Sequence, residues 1–263
     1  MTSEQLQALK AWFDRYVKDF YSDDPKRQAG IRFKEEHTAR VCENINLIGR
    51  SLHLNDDDLR LAETVALFHD LGRFRQFQVY GTFNDRRSEN HALLGLKELE
   101  RTRALSGLPE DEQRLAAKAI ECHNMPGLPP DLDGRTLLFS RLIRDADKLD
   151  ILAVTTEHYA RQGRKANPVL ASGLPDTPGY SPVLVENLLR EQNCRYDDVK
   201  NLNDRKLLLL SWIYDMNFRY TIAEADKNGF VRKIIESLPG TEDIRRVHSH
   251  LQNYVARRLG SGA

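Results

Sequence analysis

Apolar positions along this chain recur every three to four residues, and the two-residue alternation of a half-buried strand is absent, which predicts an all-α protein. Leu6, Leu9, Phe13, Tyr16, Val17 and Phe20 mark an opening amphipathic helix that stops near Ser22-Asp23-Asp24-Pro25. A second helix is expected from about Phe33, with His37, Val41, Ile45, Ile48 and Leu52 on one stripe. Asn55 and the aspartates after it read as an N-cap with acids in the first turn, where the helix dipole favours them. Leu59, Ala62, Val65, Ala66 and His69 then line one face.

From Gly72 to Arg87, Phe74, Phe77, Tyr80 and Phe83 alternate with Arg73, Arg75, Arg86 and Arg87 around Gly81 and Asn84-Asp85, and an ordered loop is expected. Ser88 is expected to cap a helix with His91 in its first turn and Leu94, Leu96 and Leu99 beyond it. Pro109 opens the next, where Leu115, Ala116, Ala119, Ile120 and His123 share a side and Asn124 to Gly127 ends it. From Arg135 a long helix places Phe139, Ile143, Asp147, Asp150, Ile151 and Val154 on or near one stripe. Ala166 to Pro182 is rich in Pro and Gly and lacks periodicity, so it reads as a long loop of the kind that forms lids. Helices are predicted over about Pro182 to Glu191, Asp204 to Asp215, Phe218 to Ala225, Phe230 to Leu238 and Glu242 to Leu259.

The 263 residues suit one domain, large enough to hold a core without disulfides. Lys+Arg and Asp+Glu are equal at 39 each, which argues against stable nucleic-acid binding or a membrane surface and leaves any anion to be met locally. Cys42, Cys122 and Cys194 are widely spaced, which fits a reducing compartment such as the cytoplasm. The N-terminal stretch is too charged for a signal peptide or a span, and the apolar run Leu207 to Ile213 is too short to cross a bilayer.

His69 and Asp70 end an apolar run, where a carboxylate is costly unless it is paired or holds a metal. With His37, His91, His123 and Asp147, five predicted helices would bring six ligands inward. Shared between two ions, with Asp70 bridging, they leave open positions for water or substrate. Imidazole and carboxylate without thiolate suit divalent Fe, Mn, Ni, Co or Zn. Taken singly, His37 or His123 reads as a core histidine bonded to a backbone carbonyl, and His91, near a helix start, as a surface residue. Asp147 lies beside Asp145 and Asp150, each an alternative for the inward carboxylate, although Asp145 is the more readily expected in solvent. His53, His158, His248 and His250 are expected at the surface.

The order His37, then His69-Asp70, then Asp147 in Arg144-Asp145-Ala146-Asp147-Lys148-Leu149-Asp150 resembles the H…HD…D signature of the HD superfamily of metal-dependent phosphohydrolases. The likeness covers about Phe33 to Thr155, an HD core followed by a helical extension over about 182 to 259. It implies that His37, His69, Asp70 and Asp147 hold a first metal, with Asp70 bridging. His91 and His123 resemble the further ligands of the superfamily's two-metal branch and would complete a second. Arg73 stands where the cyclic dinucleotide enzymes of that branch have lysine, and Pro178-Gly179-Tyr180 does not match their GYP motif in place or order. A cyclic dinucleotide substrate is therefore disfavoured.

The implied reaction is hydrolysis of a phosphate ester or anhydride, in a small phosphorylated substrate such as a nucleotide, by hydroxide drawn from a metal-shared water. Asp70 would hold that geometry. Arg73 and Lys148 are expected at the reacting phosphate, and Asn84, Arg86 and Arg87 around the substrate, with Asn84 and Asp85 orienting the two arginines, because guanidinium forks two donors onto phosphate. Two other readings remain: a di-iron oxygenase of the same superfamily, and a non-catalytic nucleotide sensor. The C-terminal helices would close the site or form a homodimer contact.

Overall fold

The computed structural model describes residues 1–160 and 173–260, and among them every regular element is helical, as the periodicity predicts. The expected loop over Ala166–Pro182 lies outside the described residues as far as position 172. The chain divides into two compact units, Met1–Asp147 and Lys148–Ala263.

The first unit begins with α1 (Ser3–Lys18), started by a reciprocal cap between Thr2 and Gln5. Then come α2 (Pro25–Ser51), α3 (Asp56–Phe68), α4 (Leu71–Tyr80), α5 (His91–Thr102), α6 (Glu110–Cys122) and the first half of α7 (Gly134–Ala160). α3 is the central element, packed on α1, α2 and α6, while α5 packs on both α4 and α6. Phe13 of α1 meets Phe68 and Phe74 edge-on, at 6.3 and 5.9 Å between centroids, and so ties α1 to the segment around His69.

Several boundaries differ from expectation for local reasons. Pro25 does not merely end α1. It is the first residue of α2, behind Asp24, whose carboxylate accepts from the backbone N–H of Lys26 and Arg27. α2 therefore starts eight residues before Phe33. The expected loop from Gly72 is instead α4, in which Leu71, Phe74, Phe77 and Tyr80 recur at a spacing of three. It stops at Gly81, whose φ of 64° lies in the left-handed region that glycine adopts without strain. The cap of α5 is Asn90 rather than Ser88, since its side chain accepts from Ala92 and Leu93.

The second unit comprises the rest of α7, α8 (Pro182–Leu189), α9 (Leu202–Ser211), α10 (Arg219–Lys227), α11 (Phe230–Glu236) and α12 (Glu242–Gly260). Its core gathers Leu184, Leu188, Leu207, Leu210, Ile222, Ile234, Val247 and Leu251, from helices α8 to α12. Among the described residues no helix is long and apolar enough to cross a membrane.

Candidate metal centre

Each histidine of the predicted set is placed by the end or the interior of one helix. His69 and His123 are the C-cap residues of α3 and α6, and each bonds the carbonyl three residues back, Nδ1 to Ala66 O at 2.7 Å and to Ile120 O at 2.6 Å. A carbonyl only accepts, so both rings carry their proton on Nδ1 and turn the lone pair of Nε2 inward. His91 opens α5, and its Nδ1 lies 2.7 Å from Asp85 Oδ2, which imposes the same tautomer. His37 comes from the middle of α2.

The four Nε2 atoms converge on Asp70. Toward Asp70 Oδ2 lie His37 Nε2 at 3.4 Å and His69 Nε2 at 3.7 Å, with 3.3 Å between the two nitrogens. Asp147 Oδ1 joins them, 3.1 Å from His37 and 3.8 Å from His69. Toward Asp70 Oδ1 lie His91 Nε2 at 3.3 Å and His123 Nε2 at 4.0 Å, 3.0 Å from each other. All of this lies in the first unit.

The separations test whether an ion fits. Bonds of about 2.1 Å put two ligand atoms about 3.0 Å apart at a right angle and about 3.4 Å apart at the tetrahedral angle. Most distances within each group fall in or near that range. His37, His69 and Asp70 form one group able to hold an ion, and Asp70, His91 and His123 a second. Asp70 belongs to both, one oxygen to each.

The protonation states suit such a centre. Burial pushes His91 down to about 4, helped by Arg73, and His123 down to about 4, helped by the neighbouring His69. Burial lowers His69 as well, against the pull of Asp70 and Asp147. These rings are therefore neutral at neutral pH, the form in which imidazole can bind a metal. Burial works the other way on Asp70, but Lys34, His69 and Arg73 overcome it and hold the carboxyl well below the usual range. Asp147 is likewise lowered, by His37 and His69 against burial.

The remaining expected residues fall in different surroundings. Arg73 is committed to protein partners: Nη1 donates to Asp85 Oδ1 at 2.7 Å and to the Phe83 carbonyl at 2.6 Å, and Nε lies 3.4 Å from Asp70 Oδ1. Asn84 turns its side chain onto the Arg86 N–H, capping a 3-10 turn over Asp85–Arg87 on which Arg86 and Arg87 are exposed. Lys148, the first residue of the second unit, pairs with Asp215 of that unit. Asp145, expected in solvent, is fully buried, because every position of α7 over 142–146 is buried, and Asp150 is buried too. Of the histidines expected at the surface, His53 is exposed, while His158, His248 and His250 are half-buried.

Four neighbours of the candidate site are not singled out by the sequence. Lys34, one turn before His37, places Nζ 2.6 Å from Asp70 Oδ2, and that spacing was the available signal. Gln76 is fully buried and donates to Asp85 Oδ1 at 2.9 Å. Asn124, next to His123, donates to Asn90 Oδ1 at 3.1 Å. Arg144, one turn before Asp147, is buried and donates to the carbonyls of Cys122, His123 and Met125 at the end of α6.

Against known proteins, the family model described as HD domain matches residues 35–152, a span that contains all six predicted ligands. No curated protein and no solved structure matches the chain.

Proposed function

Residues 35–152 constitute an HD domain, and from that premise we propose that the protein is a metal-dependent phosphohydrolase, cleaving a phosphate ester or anhydride in a small phosphorylated substrate, most simply a nucleotide. The observation that carries this reading is the division of one carboxylate, Asp70, between two groups of buried imidazoles. His37, His69 and Asp147 with Oδ2 would hold one divalent ion, and His91 and His123 with Oδ1 the other. When bound, such ions supply a water acidified to near neutrality and positive charge for the phosphoryl oxygens.

The chain's own residues supply the rest. Asp70 holds the two groups in register, and Lys34, already within reach of Oδ2, provides an ammonium at the mouth of the first group. Its side chain is only partly exposed, at 12%, so a charge there is weakly screened and suits a phosphate oxygen. Arg73 acts from behind, fixing Asp70 and Asp85 rather than reaching for substrate. Arg86 and Arg87, exposed on the adjoining turn, offer forked donors to further phosphates of a nucleotide.

The test is direct. Protein loaded in turn with manganese, iron(II), cobalt and nickel should hydrolyse a generic phosphodiester or a member of a nucleotide panel, and Asp70→Ala should remove both metal and turnover. Full metal occupancy with no turnover across the panel refutes the hydrolase reading. Oxygen uptake that requires iron and is absent with manganese would assign the centre to the oxygenases instead.

A further inference from the structure

The side chain that organises the surroundings of the second group is Asp85, in the 3-10 turn between α4 and α5. Its two oxygens have different tasks. Oδ1 accepts from Arg73 Nη1 at 2.7 Å and from Gln76 Nε2 at 2.9 Å. Oδ2 faces His91 Nδ1 at 2.7 Å, with Asn124 Nδ2 at 3.5 Å. Arg73 in turn approaches Asp70, so a single cation braces the bridging carboxylate and Asp85 together.

Resting on the two-ion reading above, we infer that Asp85 is a positioning residue that decides whether the second ion binds, by holding His91 in the one tautomer whose Nε2 lone pair points at the ion. His69 and His123 need no such residue, because a carbonyl of their own helix does the work. His91 opens its helix, and the carbonyls freed at a helix end lie at the other terminus, so its Nδ1 takes an acceptor from the turn instead. A ring without that acceptor is free to move its proton to Nε2, and a protonated Nε2 is no ligand.

Asp85→Asn separates this role from mere packing. The amide is nearly the same size, and its oxygen stays on the Arg73 and Gln76 side, where two donors converge. Its NH2 then faces His91 Nδ1, donates to it, and sends the ring proton to Nε2. The first group keeps all its ligands.

The experiment measures manganese bound per protein by equilibrium dialysis, together with thermal melting of the metal-free protein. Wild type should take up two ions. Asp85→Asn should hold one tightly and bind the second about 10–100-fold more weakly, matching His91→Ala, while melting close to wild type. Independently of any variant, nitrogen-15 spectra of the zinc-loaded wild type should show His91 protonated at Nδ1. Two-ion uptake by Asp85→Asn with unchanged affinity, or a wild-type His91 protonated at Nε2, overturns the inference, as does a wild type that takes up a single ion. Two-ion uptake without hydrolysis of any phosphate would instead refute the proposed reaction and leave the role of Asp85 standing.

Discussion

Gly72 sits two residues after Asp70, where α4 meets the start of α5. A Cβ built there would lie 2.1 Å from the His91 carbonyl oxygen and 2.5 Å from the Gly95 nitrogen, both of them backbone atoms. Neither can swing aside, so Gly72→Ala must push α4 and α5 apart. Overpacking of this kind costs about 3 kcal/mol at the upper end of the usual range, and the better helix propensity of alanine offsets up to about 1 kcal/mol of it. The net loss of about 2 kcal/mol corresponds to a fall in melting temperature of roughly 4–8 °C for a chain of this size. The same displacement moves His91 relative to Asp70, so the second ion should weaken more than the first. Two controls bracket the effect. In Gly95→Ala the new Cβ would lie 3.2 Å from the Gly72 nitrogen, a milder clash, and at Gly107 nothing lies within 4 Å. Calorimetry and manganese titration of the three variants should rank them Gly72, Gly95, Gly107 in order of damage. A Gly72→Ala protein that melts within a degree of Gly107→Ala and keeps both ions would refute the reasoning.

The metal-free protein should lose stability on mild acidification. Free imidazole takes its proton near pH 6.5, whereas folded His91 and His123 resist until about 4. Between those values the unfolded chain binds more protons, so the full stability is present above about pH 6.5 and falls as pH drops towards 4, by at most about 3 kcal/mol for each ring. Asp70 and Asp147, held low, add their own loss only below the ordinary carboxylate range. Urea midpoints with chelator at pH 7.5 and 5.0 should therefore differ, and equal midpoints would contradict the burial of neutral rings. Arg144→Met leaves the carbonyls at the end of α6 without their guanidinium donor and should cost about 3 kcal/mol, read as a lower melting temperature. His123 should also hold the second ion less well in that variant, and a melt unchanged from wild type would show that water replaces the arginine.

Much of the candidate centre was legible because inward polar side chains interrupt apolar stripes. His37, His69 and His123 stand where leucine would pack, and a polar group at such a position asks for a partner. The helices were legible for the same reason, through the spacing of their buried faces. α4 was not, because Gly72 and the arginines Arg73 and Arg75 among its aromatics imitate a loop, and only the close approach of α5 explains the glycine. Asp85 reads from the sequence as orienting Arg86 and Arg87, and Arg144 as a charged residue without a role. Their partners, His91 on one side and the carbonyls of α6 on the other, are brought to them by tertiary structure alone. Asp145 misled for the opposite reason: two buried acids on one helix are rare, so the solvated reading of one of them was the simpler one.

His69 and His123 are each oriented by a carbonyl of their own helix, three residues upstream. Contacts so local form within the time a helix takes to close its last turn, whereas uniting Asp70 with His123 closes a loop of dozens of residues. A refolding chain thus offers nitrogens already facing the right way before there is any centre for them to face. An ion present in the buffer can join two such helix ends early, so adding metal should quicken refolding as well as steady the finished protein.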